Sequence, residues 1–119
     1  MIQIFVNGGW SMFPVVLLGL AACAAGVVDA VRGRAEGGST LKALSVATGL
    51  VSVGGTALNL ATVGYAVSGN AEWAASSAII LQGVAESLGP VIFGAALLGI
   101  AWVAKAVATR RATAATAAA

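Results

Sequence analysis

The chain contains no histidine, one cysteine and two prolines, and only 8% of its 119 residues are charged. Without histidine it lacks the commonest general base and metal ligand. A lone Cys23 excludes an internal disulfide and, in an apolar helix, reads as packing material. The four acids, Asp29, Glu36, Glu72 and Glu86, form no pair at catalytic spacing. No soluble enzyme, metal centre or cofactor site is expected. Six basic residues give a net charge of +2 and a pI near 9.2, too few groups to make a nucleic-acid-binding surface. What fills the sequence is apolar: 60% of residues are hydrophobic and the mean hydropathy is +1.00, the composition of a membrane protein.

Three long stretches lack charge, residues 1–28, 43–71 and 73–104, the last interrupted only by Glu86. Each exceeds the roughly 20 residues that a helix needs to cross a hydrocarbon core of about 30 Å. The expected architecture is all-α, with spans over about 11–31, 42–67 and 75–108. Residues 1–9, ended by Gly8 and Gly9, are expected to lie along the interface, 10–111 form the membrane domain, and 112–119 are an Ala/Thr-rich tail. Arg32, Arg34 and Lys42 flank the first turn and Lys105, Arg110 and Arg111 the C-terminal end, while the N-terminus and the turn at Glu72 carry no base. The positive-inside rule then places the N-terminus outside and the C-terminus in the cytoplasm, with Trp10 and Trp73 in the outer aromatic belt. The tetrapeptide LAAC at residues 20–23 matches a lipoprotein cleavage box, but no base precedes the apolar run and no polar linker follows it. It is read as part of a span. Ser11 is a candidate cap for the first helix.

Within the second span Ser45, Thr48, Ser52, Thr56, Asn59 and Thr62 recur every three or four residues, so all six share one helical face. Such hydroxyls either bond back to their own helix or line a wet or helix-facing surface. Glu86 lies about 13 residues, or roughly 20 Å, beyond Trp73, which suggests a mid-membrane carboxyl. Such an acid is protonated, faces a water-filled cavity, or pairs with another subunit. Pro90, four residues later, lacks the N–H that would bond the Glu86 carbonyl. The site is therefore either a hydrogen-bonded structural acid at a kink or an ion-handling position.

These residues resemble a known family. GVAESLGPVIFGAALLGIA is similar to the third conserved helix of the MotA/TolQ/ExbB proton-channel family, which opens Gly-x-Ala-Glu-x-Leu; Gly83, Ala85, Glu86, Leu88 and Gly94 fit it. GLVSVGGTALNL resembles the preceding helix with its Gly-Thr pair, here Gly55 and Thr56, and GGWSMFPVVLLGLAACAAGVVDAVRGR looks like the first span. Gly89 and Pro90 stand where the family usually has a threonine, and the family's large cytoplasmic insertion between the first two spans is absent. The resemblance implies a bacterial inner-membrane subunit that forms a homo-pentamer around a pore. That pore holds the single spans of an ExbD/TolR/MotB-like partner, and ion flow drives the partner's work. It also implies Thr56 as a pore threonine and Glu86 as the family's glutamate.

The candidate ion-handling residues are thus Thr56, Glu86, Asn59 and Ser52, and Pro90, Gly55, Gly83 and Gly94 are the candidates for kinking and close packing. Two other functions fit the same residues. A non-conducting oligomeric scaffold would use the small-residue faces alone, and a small holin-like pore or transporter would pass larger solutes. In each case membrane lipids and further copies of the chain are the expected partners.

Overall fold

The structure is a computed structural model, describing residues 10–32 and 38–118. Its elements are α1 (Met12–Arg32), α2 (Gly38–Ser68), α3 (Ala71–Ala74), α4 (Ser77–Ser87) and α5 (Gly89–Ala117). Three helical segments are long and apolar enough to cross a membrane: α1, α2, and α4 with α5 as one run over Ser77–Ala117. No strand occurs among the described residues. The expected interfacial segment 1–9 and the centre of the first turn lie outside them. The Ala/Thr tail continues α5 as helix as far as Ala117, in keeping with alanine's high helix propensity.

The molecule is apolar on its outside. Among the described residues only Met12, Val15, Ala22, Leu41, Ala101 and Ala108 form the fully buried apolar core, while Leu17, Leu50, Leu58 and Leu81 remain about 70% exposed. Large apolar surface around every long helix is what a hydrocarbon solvent permits and water does not. The fold is 71 Å long and about 20 Å across.

Contacts rise together in number between α1 and α5: Val15 lies at Gly94, Gly19 at Leu97, Gly26 at Ala101 and Asp29 at Lys105. These two helices therefore run parallel. Between α2 and the α4–α5 run the order reverses, with Ser45 at Trp102, Ser52 at Gly94, Gly55 at Pro90 and Val63 at Gly83. Side-chain bonds also tie the bundle together: Trp102 Nε1 donates to Ser45 Oγ at 3.1 Å, and Cys23 Sγ donates to the Leu97 carbonyl at 3.2 Å.

Glycine is what lets the helices approach. A Cβ on Gly26 would stand 2.6 Å from the Ala101 carbonyl oxygen, and one on Gly55 would meet Ser11 at 2.8 Å and Pro90 at 3.5 Å. A Cβ on Gly83 would meet Val63 at 2.8 Å, and one on Gly94 would collide with Ser52 and touch Val15 at 3.6 Å. Small residues at helix contacts supply the van der Waals packing that holds membrane helices together in the absence of a hydrophobic driving force.

At Pro90 the chain ends one helix and begins another. Leu88 closes α4 and opens α5, Pro90 sits in the first turn of α5, and Ile92 N–H donates back to the Leu88 carbonyl at 3.1 Å. A proline there loses nothing, because that N–H has no intrahelical partner anyway. The Glu86 carbonyl, expected to be freed by Pro90, accepts a backbone N–H at the cap instead. The reason is that the last turn tightens, as helix ends commonly do.

The two kinds of glycine make opposite predictions. Gly26→Ala should lose about 1–3 kcal/mol, because the new methyl meets backbone that cannot rotate away. Gly49→Ala, with nothing within 4 Å of its Cβ position, should be neutral or gain up to about 1 kcal/mol from helix propensity. Reversible unfolding in mixed micelles measures both; equal stabilities would contradict the packing described.

Candidate functional site

The polar face of α2 turns into the bundle. Thr48, Ser52 and Thr56 are buried, and the hydroxyls on this face mostly return to their own helix. Ser45 donates to the Leu41 carbonyl, Thr48 to Leu44, Ser52 to Thr48 and Thr62 to Leu58, at 2.7 to 2.9 Å. This is the back-bonding that lets a hydroxyl sit in lipid at low cost. Thr56 departs from the pattern. Its Oγ1 is buried and, among the described residues, is the one buried side-chain oxygen or nitrogen without a hydrogen-bond partner. Leaving such a group unsatisfied costs on the order of 1–3 kcal/mol, so it marks a place for a water or another polar group.

Outward of Thr56 is a polar cluster. Glu86, in the last turn of α4, is half-buried and accepts a hydrogen bond from Gln82 Nε2 at 3.0 Å. The contacts of Gly55 with Pro90 and of Val63 with Gly83 bracket Glu86, placing it level with Asn59 and about one turn, 5.4 Å, outward of Thr56. Asn59 Oδ1 in turn accepts from Ser11 Oγ at 3.5 Å, the upper limit for such a bond. Ser87, beside the acid, donates to the Gly83 carbonyl at 2.7 Å and is buried. Ser11, whose spacing suggests a cap, thus joins the cluster through Asn59.

Glu86 lines a cleft of about 230 Å³ between α2 and α4, walled by Val63, Val67, Trp73 and Ile79 with Gln82 and Gly83. Trp73 shares that cleft because the chain does not descend straight from it. Asn70 caps α3 through bonds from the Glu72 and Trp73 N–H groups, and the helix stops at Ala75 before α4 begins at Ser77. The separation of roughly 20 Å implied by counting residues along one continuous helix is therefore too long. From the other end, Lys105 to Glu86 is 19 residues, about 28 Å, close to the whole hydrocarbon thickness of about 30 Å. The cleft beside Trp73 gives the carboxyl an opening between α2 and α4.

A second charged feature lies at the opposite end of the bundle. Lys105 Nζ donates to Asp29 Oδ2 at 3.2 Å, linking α5 to α1, with the two side chains only 10% and 15% exposed. Sequence reading treats Lys105 as a flanking base and does not pair it. The available signal is that Asp29 is the one acid in the last turns of the first span, opposite the first base that ends the third. The described residues contain no group of His, Cys, Asp and Glu side chains able to hold a metal ion.

Comparison of the chain with family models, curated proteins and solved structures yields no match.

Removing one member of a buried ion pair strands the other. Asp29→Asn is expected to cost about 3 kcal/mol, and the joint change Asp29→Leu with Lys105→Met to recover most of that loss. A double-mutant unfolding cycle measures the coupling; additive losses would show that the pair contributes nothing.

Proposed function

We propose that this chain is an ion-conducting, stator-like subunit of an ExbB/TolQ/MotA-type energy-transducing complex in a bacterial inner membrane. Its N-terminus is outside and its C-terminus cytoplasmic, following the distribution of basic residues. The observation that carries the reading is the orphaned Thr56 hydroxyl one turn inward of Glu86, Gln82, Asn59 and Ser11. A carboxylate lining a cleft between α2 and α4 can exchange protons with water that enters it, and an unsatisfied hydroxyl below it offers the next polar stop. The sequence likeness of the Glu86 and Thr56 segments supports the same roles.

Assembly into a homo-oligomer follows from the outward side of α2. Gly54, Ala57, Ala61 and Gly64 are exposed there, with nothing within 4 Å of the Cβ positions of either glycine. Such a small-residue face accepts another helix at close range. The pentameric count and the single-span ExbD/TolR/MotB-like partner rest on the family likeness alone. In this reading Glu86 and Thr56 serve the ion and the partner does the work.

A second reading is favoured by the back-bonded hydroxyls of Ser45, Thr48, Ser52 and Thr62, which are already satisfied and need no ion. On that reading the chain is a non-conducting scaffold.

Proton flux into vesicles containing the purified protein separates the two. Conduction through the proposed site predicts flux that falls about tenfold or more in Glu86→Gln and in Thr56→Ala, with oligomer size unchanged. Wild-type vesicles no leakier than empty ones would favour the scaffold. Flux that is indifferent to both substitutions would reject these two residues as the path.

A further inference from the structure

The Arg32 and Ala117 ends of α1 and α5 enclose a groove of about 600 Å³, lined by Ala30, Val31, Arg111, Ala112, Ala115 and Thr116. We infer that this groove binds an anionic phospholipid, its phosphate on Arg111 and the upper part of one acyl chain along Ala30 and Val31, the lining residues on the membrane side of Arg111.

Three observations converge on that occupant. The first is depth. Arg111 lies six residues, about 9 Å, beyond Lys105, and the headgroup layer adds roughly 5–8 Å to each side of the hydrocarbon. A long arginine side chain reaches back across the remaining distance. The membrane-side end of the groove, at Arg111, is therefore within reach of the phosphates.

The second is charge. The Lys105 ammonium is held by Asp29, so its charge is largely compensated within the bundle. Arg111 lines the groove, while Arg32 ends α1 beside Val31 and Arg110 precedes Arg111; all three are exposed, and no acid is among the described lining residues. Arginine's planar fork fits a phosphate through two parallel hydrogen bonds. A basic recess between membrane helices on one side of the bilayer is the kind of place where anionic headgroups collect.

The third is the wall. Ala30 and Val31, from the last turn of α1, form an apolar wall on the membrane side of Arg111, and the hydroxyl of Thr116 is already donated to the Ala112 carbonyl at 3.0 Å. A soluble anion such as inorganic phosphate gains nothing from that apolar surface. A lipid buries its glycerol and first methylenes against it. The inference stands whether or not the subunit conducts, since it uses none of the residues at the Glu86 end.

Native mass spectrometry of the full chain, delipidated and then supplied with phosphatidylglycerol or phosphatidylcholine, tests the assignment. Phosphatidylglycerol should be retained in preference, Arg111→Gln should lower its retention about fivefold, and Arg111→Lys should keep most of it. Lys42→Gln, a change to an exposed base on α2 away from the groove, should leave retention unchanged. Equal retention of the two lipids would overturn the proposal. So would an equal loss in Lys42→Gln, which would indicate diffuse attraction, or displacement of the lipid by millimolar inorganic phosphate. All these positions are exposed, and oligomer size measured in the same spectra reports that each variant folds.

Discussion

Hydrocarbon offers a polar group no hydrogen-bond partner, and that constraint orders this molecule more than any single contact does. It explains why an outer surface of leucine, isoleucine and valine surrounds a seam of hydroxyls. It also explains why those hydroxyls are spaced at one helical turn: each reaches the carbonyl four residues back, so the polar face is satisfied before another helix touches it. The same rule places the charges. Asp29 and Lys105 neutralise one another near one end, and Glu86 sits with Gln82 at the other.

Where the constraint is broken, the break is local. Thr56 Oγ1 is enclosed by α2's own neighbours while its turn of helix is packed through Gly55 against Ser11 and Pro90. That packing is tight enough to hold the hydroxyl in place and leaves it a lone pair and a proton to share. The glycines divide along the same line. Gly19, Gly26, Gly55, Gly83 and Gly94 are used inside the bundle, whereas Gly49, Gly54, Gly64 and Gly99 face outward with open space above them. A helix pair made from the second set would leave the internal seam undisturbed. Internal packing thus uses one face of these helices and leaves a second small-residue face open.

Much of the architecture was legible in the residues because the signals are long. Uninterrupted apolar runs specify three crossing helices with little ambiguity, and the periodic hydroxyls of α2 specify a single face. The residues singled out for packing, Gly55, Gly83, Gly94 and Pro90, all stand at helix contacts. What could not be read was the path from Trp73 to Glu86. Counting from Trp73 assumes one straight helix, and the Asn70 cap with the stop at Ala75 defeats that assumption over a few residues. The direction of the polar face was equally hidden, since periodicity says that six groups share a face and is silent on whether that face meets a pore or its own bundle. The Asp29–Lys105 pair joins residues 76 positions apart, a separation that no local pattern encodes.

The account turns on where the Glu86 carboxyl lies relative to lipid. The most direct measurement is the rate at which a small, membrane-impermeant maleimide reacts with Glu86→Cys in a Cys23→Ser background, compared with Ser76→Cys at the adjoining turn. A carboxyl position in a water-reached cleft beside Trp73 predicts labelling from one side of the membrane, within about tenfold of the turn position. No reaction at position 86 while position 76 reacts readily would place that side chain in the acyl layer and contradict the account.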